Sequence, residues 1–488
     1  MPVLLMLENR MKPKSLQLNF FLNTSRTVLN VLIPFVTFPY ISRVLGPSGT
    51  GKVDFVNSIV SYFVLFTELG ISNYGAREVA RVRDNKLMLS TVVYELTLIL
   101  LMTVCIGYAL YAALVLAVPS FREQWLLFCV VSPTIALSDF SYEWFYQGME
   151  EQTYITSRYL FVKLLQVSFI FLFIKDASHF VRYAAMFVGL NAVSSVFNIF
   201  HLRKFLQKVP VSGLKPFRHL KTLFIVFGSL VATNIYTHLD VTMLGILLSD
   251  EEVGLYTAAN KLVRIVISLV TALSAVVVPR MENCLACGDF DGYRHYINVS
   301  LHYILILAFP CCLGLLALAP DIITIFAGEK YAHSVLTIKI LAPVVVIVGL
   351  AYFVGLQVLY PHRQEWKYTV SVSVAAVSNF IFNLFMIPRL AHDGAALGSV
   401  LAELVGLVIQ VGFAWKYLRE TDLLSLNSLK YLVSSLVMFC AIKFIPDFNA
   451  NVGLHCGLCF VMAVIVYGIS LFLLKEKTVR SLFKRNPR

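Results

Sequence analysis

From residue 88 to residue 118 the chain carries one charged side chain, Glu95, in a run that is otherwise mostly apolar. A helix rises 1.5 Å per residue, so about 20 such residues cross the hydrocarbon core of a bilayer. Comparable runs lie near 18–42, 53–75, 125–146, 155–174, 181–202, 221–248, 254–278, 297–319, 335–360, 368–388, 395–415, 431–446 and 453–474. They predict an all-α integral membrane protein with about fourteen transmembrane helices. Only 14% of the residues are charged, against about 25% for a soluble domain. The first seventeen residues contain Pro2, Glu8, Pro13 and three basic residues. They lack the apolar core and cleavage site of a secretory signal, so the N-terminus is expected in the cytoplasm.

A formal charge of +12 raises the question of nucleic acid, and the placement of the charges answers it. With Arg158, Arg182 and Lys221 at span edges counted in the adjoining connections, 27 of the 40 Lys and Arg residues fall in alternate connections taken as cytoplasmic, seven in the opposite ones and six inside spans. The pattern is membrane topology, with both termini cytoplasmic, and it predicts no nucleic-acid partner.

The stretch from Pro39 to Asn85 sets the theme for the rest. Asp54, Asn57, Ser58, Ser61, Glu68 and Ser72 fall on one side of the predicted second helix. Gly46–Val53, "GPSGTGKV", nearly matches a phosphate-binding loop, but Val53 stands where the magnesium ligand belongs and no strand precedes it. It is read as a turn between two membrane helices. There are two C-x-x-C pairs, Cys284 with Cys287 and Cys456 with Cys459; the first is followed by His295 but lacks a fourth zinc ligand nearby, so the cysteines are read as reduced and structural and no metal is expected. Asp289 and Asp291 form a D-x-D pair in a short loop, with no nucleotide-binding domain around it to support a glycosyltransferase or glycan polymerase.

The basic connection from Arg203 to Lys221 divides the chain after six helices. An even number of spans lets a second copy insert in the same orientation. Gly51–Asn57 and Gly254–Asn260 both read G-x5-N, and "YQGMEEQTY" from Tyr146 is echoed by "YPHRQEWKY" from Tyr360. The expected domains are a six-helix bundle at 1–202, a cytoplasmic linker at 203–221, a second bundle at 222–415, and two further helices with a basic tail at 416–488.

Charged residues inside spans cost about 2.5 to 3.5 kcal/mol each at mid-membrane unless they face an interior or snorkel. Setting aside Asp54, Arg158, Arg182 and Lys221 at span edges, twelve fall there: Arg26, Lys163, Lys261, Arg264, Lys339, Lys443, Glu68, Glu95, Asp139, Glu143, Asp240 and Glu403. They imply an enclosed polar space. Arg26, Lys261 and Arg264, with Asn57 and Asn260, form a candidate wall for an anionic substrate, since guanidinium pairs well with phosphate. The alternative is that these cations are neutralised by Glu68 or Asp240 and lock helices together. Glu68, Asp139, Glu143 and Asp240 are candidate coupling or gating acids. Asp139 and Glu143, four apart, are expected on one face of the fourth helix, either as an ion site or as an interfacial cluster with Tyr142, Trp144 and Tyr146.

Five segments together, "FPYISRVLGPSGTGKVDF", "ELGISNYGAREVARVRDN", "EWFYQGME", "DVTMLGILLSDEEVGLYTAANKL" and "IPRLAHDGAALGSVLAE", resemble the polysaccharide transporter family. These are the O-antigen and capsule flippases of the multidrug/oligosaccharidyl-lipid/polysaccharide exporter superfamily. The resemblance covers most of the chain. It implies two six-helix bundles around a central cavity, often with two more helices, in the bacterial inner membrane. It also implies a substrate, undecaprenyl pyrophosphate carrying a short sugar chain and moved from the inner to the outer leaflet. Cavity arginines are implied at Arg26 and Arg264, matched by helix and depth. The expected activity is transport by alternating access with no enzymatic step and no cofactor, a proton or sodium gradient being the candidate drive. Expected partners are the lipid-linked oligosaccharide, membrane lipids, and polysaccharide polymerase and chain-length machinery. The rivals are a drug or cation antiporter of the same superfamily, which should present acids and aromatics to its ligand, and a membrane-embedded glycan polymerase.

Overall fold

The computed structural model describes residues 16–474, except 420, 422–425 and 446–450. The first fifteen residues and the basic tail, on which part of the topology reading rests, lie outside the described residues. Among those described, the protein is all helical. The helical run Leu16–Glu68 breaks at Gly46, with φ 70° and ψ 178°, into α1 before it and α2 after it. There follow α3 (Ile71–Val82), α4 (Lys86–Ala117), the short α5 (Pro119–Glu123), α6 (Trp125–Val131), α7 (Pro133–Asp139) and α8 (Glu143–Gly148). Next come α9 (Gln152–Phe173), α10 (Phe180–Leu202), α11 (Leu220–Leu247), α12 (Asp250–Thr271), α13 (Ser274–Ala286), α14 (Phe290–Phe326), α15 (Ser334–Leu341) and α16 (Val344–Tyr352). After a π-helical turn at Phe353–Leu359, the run Glu365–Leu418 is split at Ala391 into α17 and α18, and α19 (Leu426–Lys443) and α20 (Val452–Leu473) end the described chain. The helices are long and apolar enough to make a multi-pass membrane protein.

Three expectations need correction. Gly46–Val53 is not an open turn: helix resumes at once, with Pro47 opening α2 where its missing N–H costs nothing. The predicted helix 53–75 stops at Leu69 and Gly70, both with positive φ, so Ser72 sits on a second helix. The predicted helix 125–146 is three pieces. Pro133 opens α7, and Tyr142 at φ 51° breaks the helix before α8, so Asp139 and Glu143 do not share a helical face.

The chain forms two compact units. The first comprises Lys52–His238 with the residues up to Leu45, and the second comprises Gly46–Gly51 with the residues from Leu239 on. In the first, α3 buries Ile71, Tyr74, Gly75 and Val79 along one stripe. A side chain at Gly75 would lie 2.6 Å from the Trp144 ring, and one at Gly148 would lie 2.6 Å from the Ala76 carbonyl oxygen. Two of the five recognised segments, around Gly75 and Gly148, are therefore two sides of one close helix crossing. In the second unit a Cβ on Gly51 would sit 1.7 Å from the Asp250 carbonyl oxygen, and one on Gly254 would sit 2.0 Å from that of Pro47. Pro47 and Asp250 are separated by the same 203 positions as Gly51 and Gly254, so the contact is reciprocal between equivalent residues.

The second echo also has a structural counterpart. The Tyr146 and Tyr154 rings lie 4.9 Å apart, and those of Tyr360 and Tyr368 lie 5.5 Å apart. In both loops a residue with φ near 56°, Glu150 or Arg363, is followed by an amide that reaches back five residues: Glu151 N–H donates to Tyr146 O, and Gln364 N–H to Leu359 O, each at 2.9 Å. This is the closure with which helices end, made here without glycine.

Candidate functional site

The eighth predicted span is α12, and its charged stripe stands apart from its packed face. Val253 to Ala259, Leu262 and Val263 are buried, Asn260 and Lys261 are half-buried, and Arg264 is exposed. Ser249 caps the helix by accepting the Glu252 N–H. Arg264 makes no hydrogen bond or ion pair with a described residue. Asn57, on α2, is exposed as well.

Asp240 is held differently from the partner role envisaged for it. Its side chain is 9% exposed and takes four neutral donors. Asn379 and Asn383 donate to Oδ1 at 3.0 and 2.7 Å, Ser399 donates to Oδ2 at 2.5 Å, and the Tyr256 hydroxyl donates to Oδ2 as well. The carboxylate is satisfied by dipoles from α12, α17 and α18, not by Arg264. The three donors on α17 and α18 were missed from sequence, though an Asn pair four apart inside an apolar run is a visible signal.

In the first unit Arg26 does not stand alone. Its Nη2 donates to Glu143 Oε2 at 2.7 Å, and Arg158 donates to the other oxygen of the same carboxylate. One acid thus joins two guanidiniums, leaving a net positive charge. Asp139 is 2% exposed, and both of its oxygens lack a hydrogen-bond partner. Glu68, at the end of α2, accepts the Ser72 hydroxyl across the Leu69–Gly70 break. Lys163 donates to Gln166 at 2.9 Å and lies over the Tyr159 ring.

Glu95 anchors the interhelical linker. It is 1% exposed and accepts the Lys215 backbone N–H at 2.7 Å and Arg218 Nη2 at 2.6 Å, with His219 Nε2 at 2.8 Å. Tyr74 closes the set on the far side of the imidazole, at 2.6 Å from Nδ1. Basic residues of the linker therefore serve a packing role as well as topology. Asp289 caps α14 by accepting the Gly292 N–H, and Asp291 lies in that helix's first turn.

The sequence profile of the family described as "Polysaccharide biosynthesis protein" matches residues 16–284, and that described as "MatE" matches residues 226–391. A protein named "Putative O-antigen transporter" from Escherichia coli K12 is 23% identical over 380 residues, covering 77% of this chain and 90% of its own length. One of the same name from Shigella dysenteriae is 25% identical over 410 residues, covering 80% and 96%. Among solved structures, "Lipid II flippase MurJ, inward closed conformation" superposes with a TM-score of 0.74 at 16% identity, covering 94% of this chain and 99% of that one.

Proposed function

The chain belongs to the polysaccharide biosynthesis protein family, and on that premise we propose that it is a flippase for lipid-linked oligosaccharides destined for a surface polysaccharide. It is a transporter, not an enzyme. The substrate is an undecaprenyl pyrophosphate bearing an oligosaccharide repeat unit of O-antigen or capsule, carried by alternating access across the bacterial inner membrane. Transport runs from the cytoplasmic leaflet, which holds the basic connections and both termini, to the periplasmic one. A polymerase and chain-length machinery would receive the product.

The observation that carries this reading is Arg264. It is exposed on α12 and makes no hydrogen bond or ion pair with a described acid, while Asp240, the acid weighed as its partner, is occupied by neutral donors. An intramembrane cation with no ion pair among the described residues is suited to an anionic headgroup. Lys261 and Asn260 would extend the polar stripe of α12 in the second unit; in the first unit, Asn57 and Arg26, whose cluster with Glu143 and Arg158 carries a surplus positive charge, would be candidate substrate contacts of their own. Coupling to a proton or sodium gradient falls to Asp240 and Asp139. Asp240 is a buried carboxylate set in a polar cluster, and Asp139 is a buried acid whose oxygens make no hydrogen bond.

The test is surface glycan in a strain lacking its own flippase, with membrane protein level measured for each variant. Arg264→Ala and Arg264→Gln should abolish export, because a charge-assisted hydrogen bond of about 1.5 to 3 kcal/mol is lost. Arg264→Lys should keep part of it. An active Arg264→Gln, or rescue of it by Asp240→Asn, would return the residue to helix packing.

A further inference from the structure

A second polar site lies on the first unit, between the start of α9 and the end of α10. A cavity of about 410 Å³ is lined there by Tyr154, Ser157 and Arg158 of α9 and by Phe197, Phe200 and His201 of α10, with Phe161 and Lys204 at its edge. Its mouth is apolar: Phe161, Phe197 and Phe200 are 51%, 46% and 61% exposed. Its floor is not. The Arg158 side chain is 5% exposed and gives only one nitrogen to Glu143, while its Nε and Nη1 are buried without a hydrogen-bond partner. The Tyr154 hydroxyl is likewise buried and unpartnered. Tyr154 is fixed in place by stacking on His201, with ring centroids 4.0 Å apart and planes 11° from parallel.

Three buried donor groups left unsatisfied beside one cavity are a standing cost, since most buried polar groups in folded proteins are paired. The group that would repay it must accept several hydrogen bonds and bear negative charge, because Arg26 and Arg158 together outweigh Glu143 and Lys204 adds another cation. It must also carry an apolar part, to lie against three exposed phenylalanines at a membrane surface. Arg158 is six residues into α9, about 9 Å from its start. Lys204 lies just beyond the end of α10. The site is therefore at headgroup depth, on the side that bears the basic linker. Basic pockets between transmembrane helices on this side suit acidic lipid headgroups.

We infer that the α9–α10 cleft is a binding site for an anionic phospholipid of the linker-side leaflet. Its phosphate takes the Arg158 and Tyr154 donors, Lys204 stands at the rim, and one acyl chain runs over Phe161, Phe197 and Phe200. This site does not depend on the transport reading, and its test involves no transport.

The full-length protein, purified and stripped of lipid, is titrated with phosphatidylglycerol or phosphatidylethanolamine, and bound lipid is counted by native mass spectrometry. At least one phosphatidylglycerol should bind about tenfold or more tighter than phosphatidylethanolamine. Tyr154→Phe, which keeps the ring stack and removes only the hydroxyl, should weaken that preference about tenfold, as loss of a hydrogen bond to a charged acceptor does. Lys204→Gln, at the rim and clear of the core, should weaken it about fivefold. Equal binding of the two lipids, or two folded variants that bind phosphatidylglycerol like the parent, would overturn the assignment. Displacement of phosphatidylglycerol by millimolar inorganic phosphate would make it a free-anion site instead. Stoichiometric displacement by a polyprenyl diphosphate would make it a substrate site.

Discussion

Alanine at Gly51 puts a methyl group where no atom can go. The added carbon would lie 1.7 Å from the Asp250 carbonyl oxygen and 2.8 Å from the Gly254 nitrogen, both backbone atoms with no rotamer to yield. Carbon–oxygen contact needs roughly 3.3 Å, so the two helices must part by about 1.5 Å at the crossing and lose van der Waals contact along it. Overpacking of this kind costs about 1 to 3 kcal/mol, and rigid backbone on both sides favours the upper end. Alanine is the better helix former by about 1 kcal/mol, which leaves a net loss of about 1 to 2 kcal/mol. Gly412 supplies the control: it lies inside α18 with nothing within 4 Å of its added carbon, so Gly412→Ala should be neutral or stabilising. Gly254→Ala should resemble Gly51→Ala, with its carbon 2.0 Å from the Pro47 carbonyl oxygen. The double variant should lose less than the sum, because a crossing opened by one methyl already has room for the other. The assay is thermal unfolding of the detergent-solubilised protein, followed by loss of the monodisperse peak. A Gly51→Ala protein as stable as Gly412→Ala, or full additivity in the double variant, would refute a shared backbone contact.

Two further predictions follow from the linker. Glu95→Ala leaves the Lys215 N–H and His219 without their acceptor while the half-exposed Arg218 can turn to water, and should cost about 1 to 3 kcal/mol; faster tryptic cleavage between Arg203 and Lys221 is the readout, and unchanged cleavage would exclude the anchoring role. Cysteines placed at 207–212 should be inaccessible to impermeant reagents added outside cells, whereas cysteines at 249–251 should react, and the opposite labelling would invert the direction of transport.

The membrane helices were legible because a bilayer imposes a length and a composition on each crossing. Lys86–Ala117 and Val452–Leu473 fall almost where their apolar runs do. Breaks within such runs were not legible. Tyr142 and Leu69 adopt positive φ without being glycine, and only packing around them compensates the local strain. That is why the Asp139 and Glu143 pairing was misjudged. Spacing within one helix foretells neighbours, but Asp139 and Glu143 are separated by a helix break at Tyr142 that no composition rule marks. The partners of Glu95, Asp240 and Glu143 were hidden for another reason. They lie 123, 139 and 117 positions away at Arg218, Asn379 and Arg26, and pairing over such distances is a property of the assembled bundle. The repeat at Gly51 and Gly254 was legible as a pattern, while its cause, mutual contact, was not.

That contact bears on how such a chain can arise and change. If a six-helix ancestor associated as a symmetric pair, one glycine in one gene would have formed both sides of the crossing at once, since a two-fold interface presents the same residue twice. After duplication and fusion the two positions mutate separately, yet a side chain at either one strikes the backbone near the other. Asn57 and Asn260, Ser58 and Lys261, and Ser61 and Arg264 have the same offset, and none of these positions is a glycine. The polar stripes of the halves are therefore at liberty to diverge in charge, one toward hydroxyls and the other toward cations, while the glycines beneath them stay tied together.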